Sequence, residues 1–147
     1  MRVRIPSQDE VAKLAIGIVE RVKEVGSDDL RRGFRSRTRD MFETGYYHGV
    51  TLMLSFAYAK AGVKNVSDAL NFLVGKRGLK GDNVALSYAL YVASIARFLE
   101  DIGVRVNVKD LFNMLENAKS HEFLLLTFMR WLKMAAEAEI EAGIEES

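Results

Sequence analysis

Two isolated histidines, three acidic clusters and a dense run of arginines are the side chains in this sequence with chemistry to offer. His48 and His121 each lack a second histidine three or four residues away, so neither builds a metal pair on one helix face. His48, just before Gly49, reads as part of the opening of an apolar helix, where a histidine is most often packed in a core or an interface. His121, beside Glu122, reads as an exposed residue in the first turn of the last helix. The carboxylates cluster at Asp28-Asp29, at Glu100-Asp101 and at Glu137, Glu139 and Glu141. The first cluster suits a helix N-terminus, where the dipole favours acids, and the third suits a solvated tail. The second sits at a helix C-terminus, where acids are slightly unfavourable, and nothing in the sequence explains it. All-helical nucleotide pyrophosphohydrolases hold magnesium with Glu-x-x-Glu followed by Glu-x-x-Asp, and that pairing is absent. Gly75-Lys76 does not complete a phosphate-binding P-loop, because Leu70 stands where the earlier glycine belongs and Arg77 where a Ser or Thr belongs. With no cysteine, disulfides, thiolate catalysis and cysteine-ligated zinc are excluded together. The expectation is a protein without catalytic apparatus, metal or cofactor.

The cations are more informative. Arg31, Arg32, Arg35, Arg37 and Arg39 place five arginines in nine residues with no acid among them. At about 100° per residue, Leu30, Phe34 and Met41 share one helix face. Arg31, Arg32, Arg35 and Arg39 fill another sector, and Arg37 falls near the apolar side. Like charges at i, i+4 cost about 0.2–0.5 kcal/mol per pair, so Arg31, Arg35 and Arg39 call for something negative opposite them. Phosphate is one candidate, since a planar guanidinium binds it bidentately. The acidic second half of the chain is the other. Lys76, Arg77 and Lys80 form a further cationic group on a glycine-rich loop, and Lys60 and Lys64 follow at the end of an apolar helix. Residues 1–80 carry 15 Lys/Arg against 9 Asp/Glu, whereas residues 81–147 carry 6 against 11. The net charge of +1 hides this asymmetry, which suggests two surfaces of opposite sign.

The elements that must position these groups are all helices. Ser7 and Glu10 make a capping box ahead of Val11, Leu14, Ala15, Ile18 and Val22, with Gly26 as the stop. Ser27 caps a second helix to about Thr44, and Gly45 to Ala61 reads as a third, closed by Gly62. A short helix follows Ser67. The loop from Gly75 to Gly81 leads to Asp82 or Asn83, which caps a long helix reaching Ile102. Asn107 is expected to cap a short helix and Ser120 the last one, which carries Trp131 and runs into the acidic tail. Val104-Arg105-Val106 is too short to count as a strand. The expected fold is all-α, a compact bundle of six to seven helices in one domain spanning residues 1–147.

A chain of 147 residues, 49% apolar and 28% charged, buries roughly 68–70% of its unfolded surface without a metal or disulfide staple. The apolar stretch around Val50 to Ala59 is far short of the ~20 residues that cross a membrane. The first residues lack the apolar core of a signal peptide, so the expected location is the cytoplasm.

The stretch Gly49-Val50-Thr51-Leu52-Met53-Leu54-Ser55-Phe56-Ala57-Tyr58-Ala59-Lys60 resembles a segment of the small helical subunit of type III-B (Cmr-type) CRISPR RNA-guided effector complexes. In that family an arginine-bearing stretch precedes a glycine, and an apolar helix ends in Phe-x-x-Ala-Lys. Arg35 to Arg39, Gly49, Leu54, Phe56, Ala59 and Lys60 fit that pattern, and Trp131-Leu132-Lys133 with Ala135-Ala136 looks like the family's last helix. The resemblance covers about residues 30–140. Thr44-Gly45 and His48 stand where the family often has a proline and an asparagine, and Leu52-Met53 where a Gln-Thr pair is common. The resemblance implies a non-catalytic subunit that stacks with further copies of itself beside other effector subunits. It would support guide RNA and target RNA through cations and shape, with cleavage belonging to other subunits. Arg31, Arg32, Arg35, Arg39, Lys60, Lys76, Arg77 and Lys80 are the candidate RNA-binding residues, chosen from charge placement. The competing expectation is a helical protein–protein adaptor that makes no direct contact with nucleic acid.

Overall fold

The computed structural model describes residues 3–76 and 78–142. Seven α-helices occupy them, with no strand among the described residues: α1 (Gln8–Val22), α2 (Asp28–His48), α3 (Val50–Ala61), α4 (Val63–Leu73), α5 (Asn83–Asp101), α6 (Leu111–Ser120) and α7 (Glu122–Glu139). The capping box forms as the sequence predicts: the Ser7 hydroxyl accepts from the Glu10 amide at 3.2 Å, and the Glu10 carboxylate accepts from the Ser7 amide at 3.0 Å. Ser27 accepts from the Leu30 amide at 3.1 Å and starts α2. Asp82 accepts from the Ala85 amide at 2.9 Å and starts α5.

Other boundaries differ from the sequence expectation, each for a physical reason. The first helix ends at Val22 rather than at Gly26, in a tight turn where the Glu24 and Val25 amides donate to the Arg21 and Val22 carbonyls. Helix α2 runs straight through Gly45 to His48. A Cβ at Gly45 would lie 3.0 Å from the end of the Met129 side chain, so this glycine permits close approach to α7 instead of breaking the helix. The break comes at Gly49, whose φ of 95° and ψ of 152° lie where essentially only glycine goes. Ser67 is interior to α4, which begins directly after Gly62. Asp110, not Asn107, caps α6 by accepting from the Asn113 amide at 3.2 Å, while Asn107 holds the turn before it through the Lys109 amide. Ser120 ends α6, and α7 starts after His121 with no side-chain cap of its own.

Helix α5 is the centre of the core, with α2, α3 and α4 packed against it and α7 lying across α1 and α2. Phe98 of α5 stacks on Phe128 of α7 with centroids 4.6 Å apart. Tyr58 is buried and donates its hydroxyl to the Val108 carbonyl at 2.9 Å, tying α3 to the chain entering α6. Burial of this phenol pushes its pKa up, well beyond the usual tyrosine range. Helix α3 has no capping side chain of its own at Gly49; the Glu122 carboxylate of α7 accepts from the Val50 amide at 3.2 Å instead. These contacts fix α2 between α5 and α7, with the rest of its circumference outward.

Candidate nucleic-acid interface

The buried stripe of α2 is narrow: Leu30, Phe34, Thr38, Met41 and Gly45. Flanking it, the arginines divide. Arg37 leans to the α5 side, where its guanidinium lies 4.5 Å from the Tyr88 ring centroid. Its Nε is buried without a hydrogen-bond partner among the described residues. Arg31, Arg35 and Arg39 are half-buried on the other flank and Arg32 is exposed. Arg31 pairs with Asp28 one turn earlier and donates to the Val25 carbonyl, so it also closes the turn from α1 into α2. Arg39 lies 3.3 Å from the Asp40 carboxylate beside it.

At the foot of α2 a cleft of about 230 Å³ collects Arg31, Arg32, Lys23 and Asp28 with Glu139 at the end of α7 and Glu141 just past it. Lys23 meets Glu139 at 3.0 Å. This hydrogen bond raises the Lys23 pKa and lowers that of Glu139, each partner stabilising the other's charged form. The acidic second half of the chain therefore reaches the basic half here. It does so again where Asp101 meets Arg4 at 3.2 Å, which gives the Glu100-Asp101 cluster part of its explanation.

The candidate cations fall in more than one place. Lys80 lines a second cleft of about 500 Å³ between its glycine-rich loop and the α1–α2 turn, with Gly78, Gly81, Glu24, Ser27 and Leu30. That puts it beside Ser27 and Leu30 at the foot of α2, in a different cleft from the one that Arg31 and Arg32 line. Lys76 is exposed on the same loop, and Arg77 lies outside the described residues. Lys60 stands apart from this group. Its ammonium is 5.5 Å from the Phe56 ring, Phe56 meets Tyr88 edge-on at 5.8 Å, and Tyr88 carries Arg37. Lys60 and Arg37 are thus joined through two rings on the opposite flank of α2 from Arg35 and Arg39.

Lys23 and the aromatic end of α2, where Tyr46 and Tyr47 are exposed, were not singled out from the sequence, whereas Arg37 was expected near the apolar side and lies there against Tyr88. The adjacent tyrosines were a usable signal, whereas the Arg37–Tyr88 pairing across 51 positions was not. His48 is exposed at the end of α2 rather than opening α3, because the helix continues one turn past Gly45; of the core and interface expectations, this excludes the core. His121 is half-buried rather than exposed, with Nδ1 2.8 Å from the Asn117 carbonyl oxygen. Among the described residues no cluster of three or more His, Cys, Asp or Glu could hold a metal ion. No helix among them is long and apolar enough to cross a membrane.

No protein-family model matches the sequence. The chain is similar to the CRISPR system CMR subunit Cmr5 of Saccharolobus solfataricus, at 33% identity over 109 residues, 71% of this chain and 69% of that protein. Its fold is shared by a chain in the cryo-EM structure of the type III-B Cmr-beta complex bound to non-cognate target RNA, with a TM-score of 0.80, 21% identity, and 93% and 100% of the two chains covered. A chain in the type III-B Cmr-beta structure bound to cognate target RNA and AMPPnP gives 0.75 and 20%, covering 92% and 97%.

Proposed function

The chain belongs to the Cmr5 family of CRISPR Cmr subunits, and from that premise we propose that it is a non-catalytic, single-domain subunit of a cytoplasmic type III-B RNA-guided effector. It stacks with further copies of itself and with other subunits along the complex. Its basic face supports the guide RNA and target RNA, and cleavage belongs elsewhere. The observation that carries this reading is the arginine flank of α2, exposed at Arg32 and half-buried at Arg31, Arg35 and Arg39, on a helix held at Gly33 by α5 and at Gly45 by α7. Arg31, Arg32, Arg35 and Arg39 form that flank, with Lys76 and Lys80 on the loop that precedes α5; Arg77 joins them on its charge and sequence position alone. Lys60 makes a separate contact across α2. Base pairing between guide and target reads sequence, so such a subunit need supply only charge and shape along the backbone.

The test replaces Arg32, Arg35 and Arg39 with glutamine in the assembled complex and leaves Arg31 to hold its turn. RNA affinity is expected to fall equally for unrelated targets, because phosphate contacts position without specifying. The log–log salt dependence is expected to flatten by about 0.7 per lost phosphate contact, or roughly 2 for all three. Unchanged affinity and slope in a complex that still assembles would instead favour a protein–protein adaptor. Purified chain with magnesium or manganese is expected to leave RNA intact. Cleavage abolished by one acidic or histidine substitution would overturn the non-catalytic assignment.

A further inference from the structure

Positions 35, 39, 42 and 46 of α2 follow the i, i+4, i+7, i+11 spacing of a single helical stripe. Along that stripe Arg35 and Arg39 give way to Phe42 and Tyr46. The aromatic end opens into a cleft of about 350 Å³ lined by Phe42, Glu43, Tyr46, Tyr47, Arg130 and Lys133. Phe42 and Tyr46 have centroids 6.0 Å apart, and Tyr46 and Tyr47 meet edge-on at 5.1 Å. Tyr46 is 56% exposed and Tyr47 74%. From α7 the Arg130 guanidinium approaches the Phe42 ring to 5.8 Å. Lys133 pairs with Glu137 at 3.3 Å, and its ammonium retains donors for a further oxygen. Glu43 is the one acid in the lining, against two cations.

We propose that this cleft takes an unstacked base of single-stranded RNA, with the arginine stripe leading the phosphate backbone into it. This deepens the RNA-binding reading and rests on it. Single-strand binders combine a cationic track with aromatic faces on which bases stack, and sequence tolerance follows because every base has a π-face. Both parts occur here on one face of one helix. In this proposal Arg130 and Lys133 of the lining meet the phosphate on one side of the stacked base, and Arg39, one turn before Phe42 on the stripe, meets that on the other. The volume lies at the low end of the roughly 300–1,000 Å³ range of small-ligand clefts, which suits a base better than a folded partner's side-chain cluster.

The experiment compares binding of the full chain to a short uridine oligoribonucleotide and to its abasic counterpart, which carries the same phosphates, by fluorescence anisotropy. Wild type is expected to prefer the base-bearing RNA by about 5- to 150-fold, the effect of one stacked base. Tyr46→Ala with Tyr47→Ala is expected to erase that preference while keeping the affinity for abasic RNA, and an unchanged melting temperature confirms the fold. Glu43→Gln is expected to tighten both RNAs by removing the one opposing charge. Equal wild-type binding of the two RNAs would overturn the stacking site and leave the phosphate reading standing. A preference that survives the double tyrosine variant would place the stacking elsewhere and overturn this site. A double variant with the wild-type preference that no longer joins the effector would make the cleft a protein contact, which also overturns it. Failure of either RNA to bind at low salt would remove the parent reading as well.

Discussion

Helices α2 and α5 touch where Gly33 meets Ser87, yet their side chains serve opposite ends. In α5, 13 of 19 residues are buried, and its inward serines satisfy themselves on their own helix, Ser94 at the Leu90 carbonyl and Ser87 at that of Val84. In α2 only 5 of 21 are buried, two of them small enough to let a neighbouring helix approach or to turn a hydroxyl back on the helix: Gly45 and Thr38. A helix buried on most of its circumference has no surface left for recognition. A helix held by a thin stripe and two glycine contacts can carry five arginines and an aromatic end, because packing elsewhere offsets their local repulsion. Burial and surface charge are thus divided between neighbouring elements rather than mixed within one.

The division is open to tests of decreasing size. Phe98→Ala, in the centre of α5, is expected to cost about 3–5 kcal/mol in urea unfolding, because it empties the space stacked against Phe128. Arg32→Gln on exposed α2 surface is expected to change stability by no more than about 0.5 kcal/mol. Comparable losses at the two positions would break the comparison. Gly49→Ala is expected to cost about 1–3 kcal/mol, read as a lowered melting temperature, because its φ of 95° is unavailable to alanine without strain. A neutral result would mean that the α2–α3 joint relaxes, and that the aromatic end of α2 is not held as rigidly as the arginine flank.

Tyr91 sharpens the picture from the inside. It is fully buried, its hydroxyl lacks a hydrogen-bond partner among the described residues, and burial pushes its pKa far up. Tyr91→Phe is expected to stabilise by about 1 kcal/mol and raise the melting temperature by about 2–4 °C, since an unsatisfied buried hydroxyl costs more than it returns. Destabilisation would reveal a partner for that hydroxyl. The smallest effect belongs to the exposed foot of α2, where Lys23 faces Glu139 and, at 3.9 Å, Glu20. The Glu139 carboxyl is held low, so its contribution is present above its unfolded pKa and lost as pH falls through the folded one. The Lys23 ammonium is held high, so its contribution is present below the unfolded lysine pKa and lost as pH rises through the folded one. The melting-temperature gap between wild type and Lys23→Met is expected to be widest near neutrality and to close toward both extremes. A gap that stays constant with pH would show that this pair does not join the two halves of the chain.

Local chemistry was legible from the residues alone. The capping box at Ser7, the cap at Ser27, the helical class and the arginine sector of α2 depend on neighbours within four positions, so the sequence carries them whole; the start of α5 was narrowed to Asp82 or Asn83, and Asp82 caps it. The family resemblance was legible for the same reason, since it rested on the contiguous stretch from Gly49 to Lys60 and the helix around Trp131. Tertiary structure decided the rest, because each remaining feature needs two residues far apart in the chain. Gly45 could read as a break until Met129 stood 3.0 Å from where its Cβ would be. Periodicity put Arg37 near the apolar side, but only the fold puts Tyr88 beneath it. Glu122 caps a helix that starts 72 positions earlier, and Phe42 and Tyr46 line a cleft only because Arg130 and Lys133 close its other side. Helical periodicity determines which residues share a face; only the packing of the other helices determines which of those faces is left for a ligand.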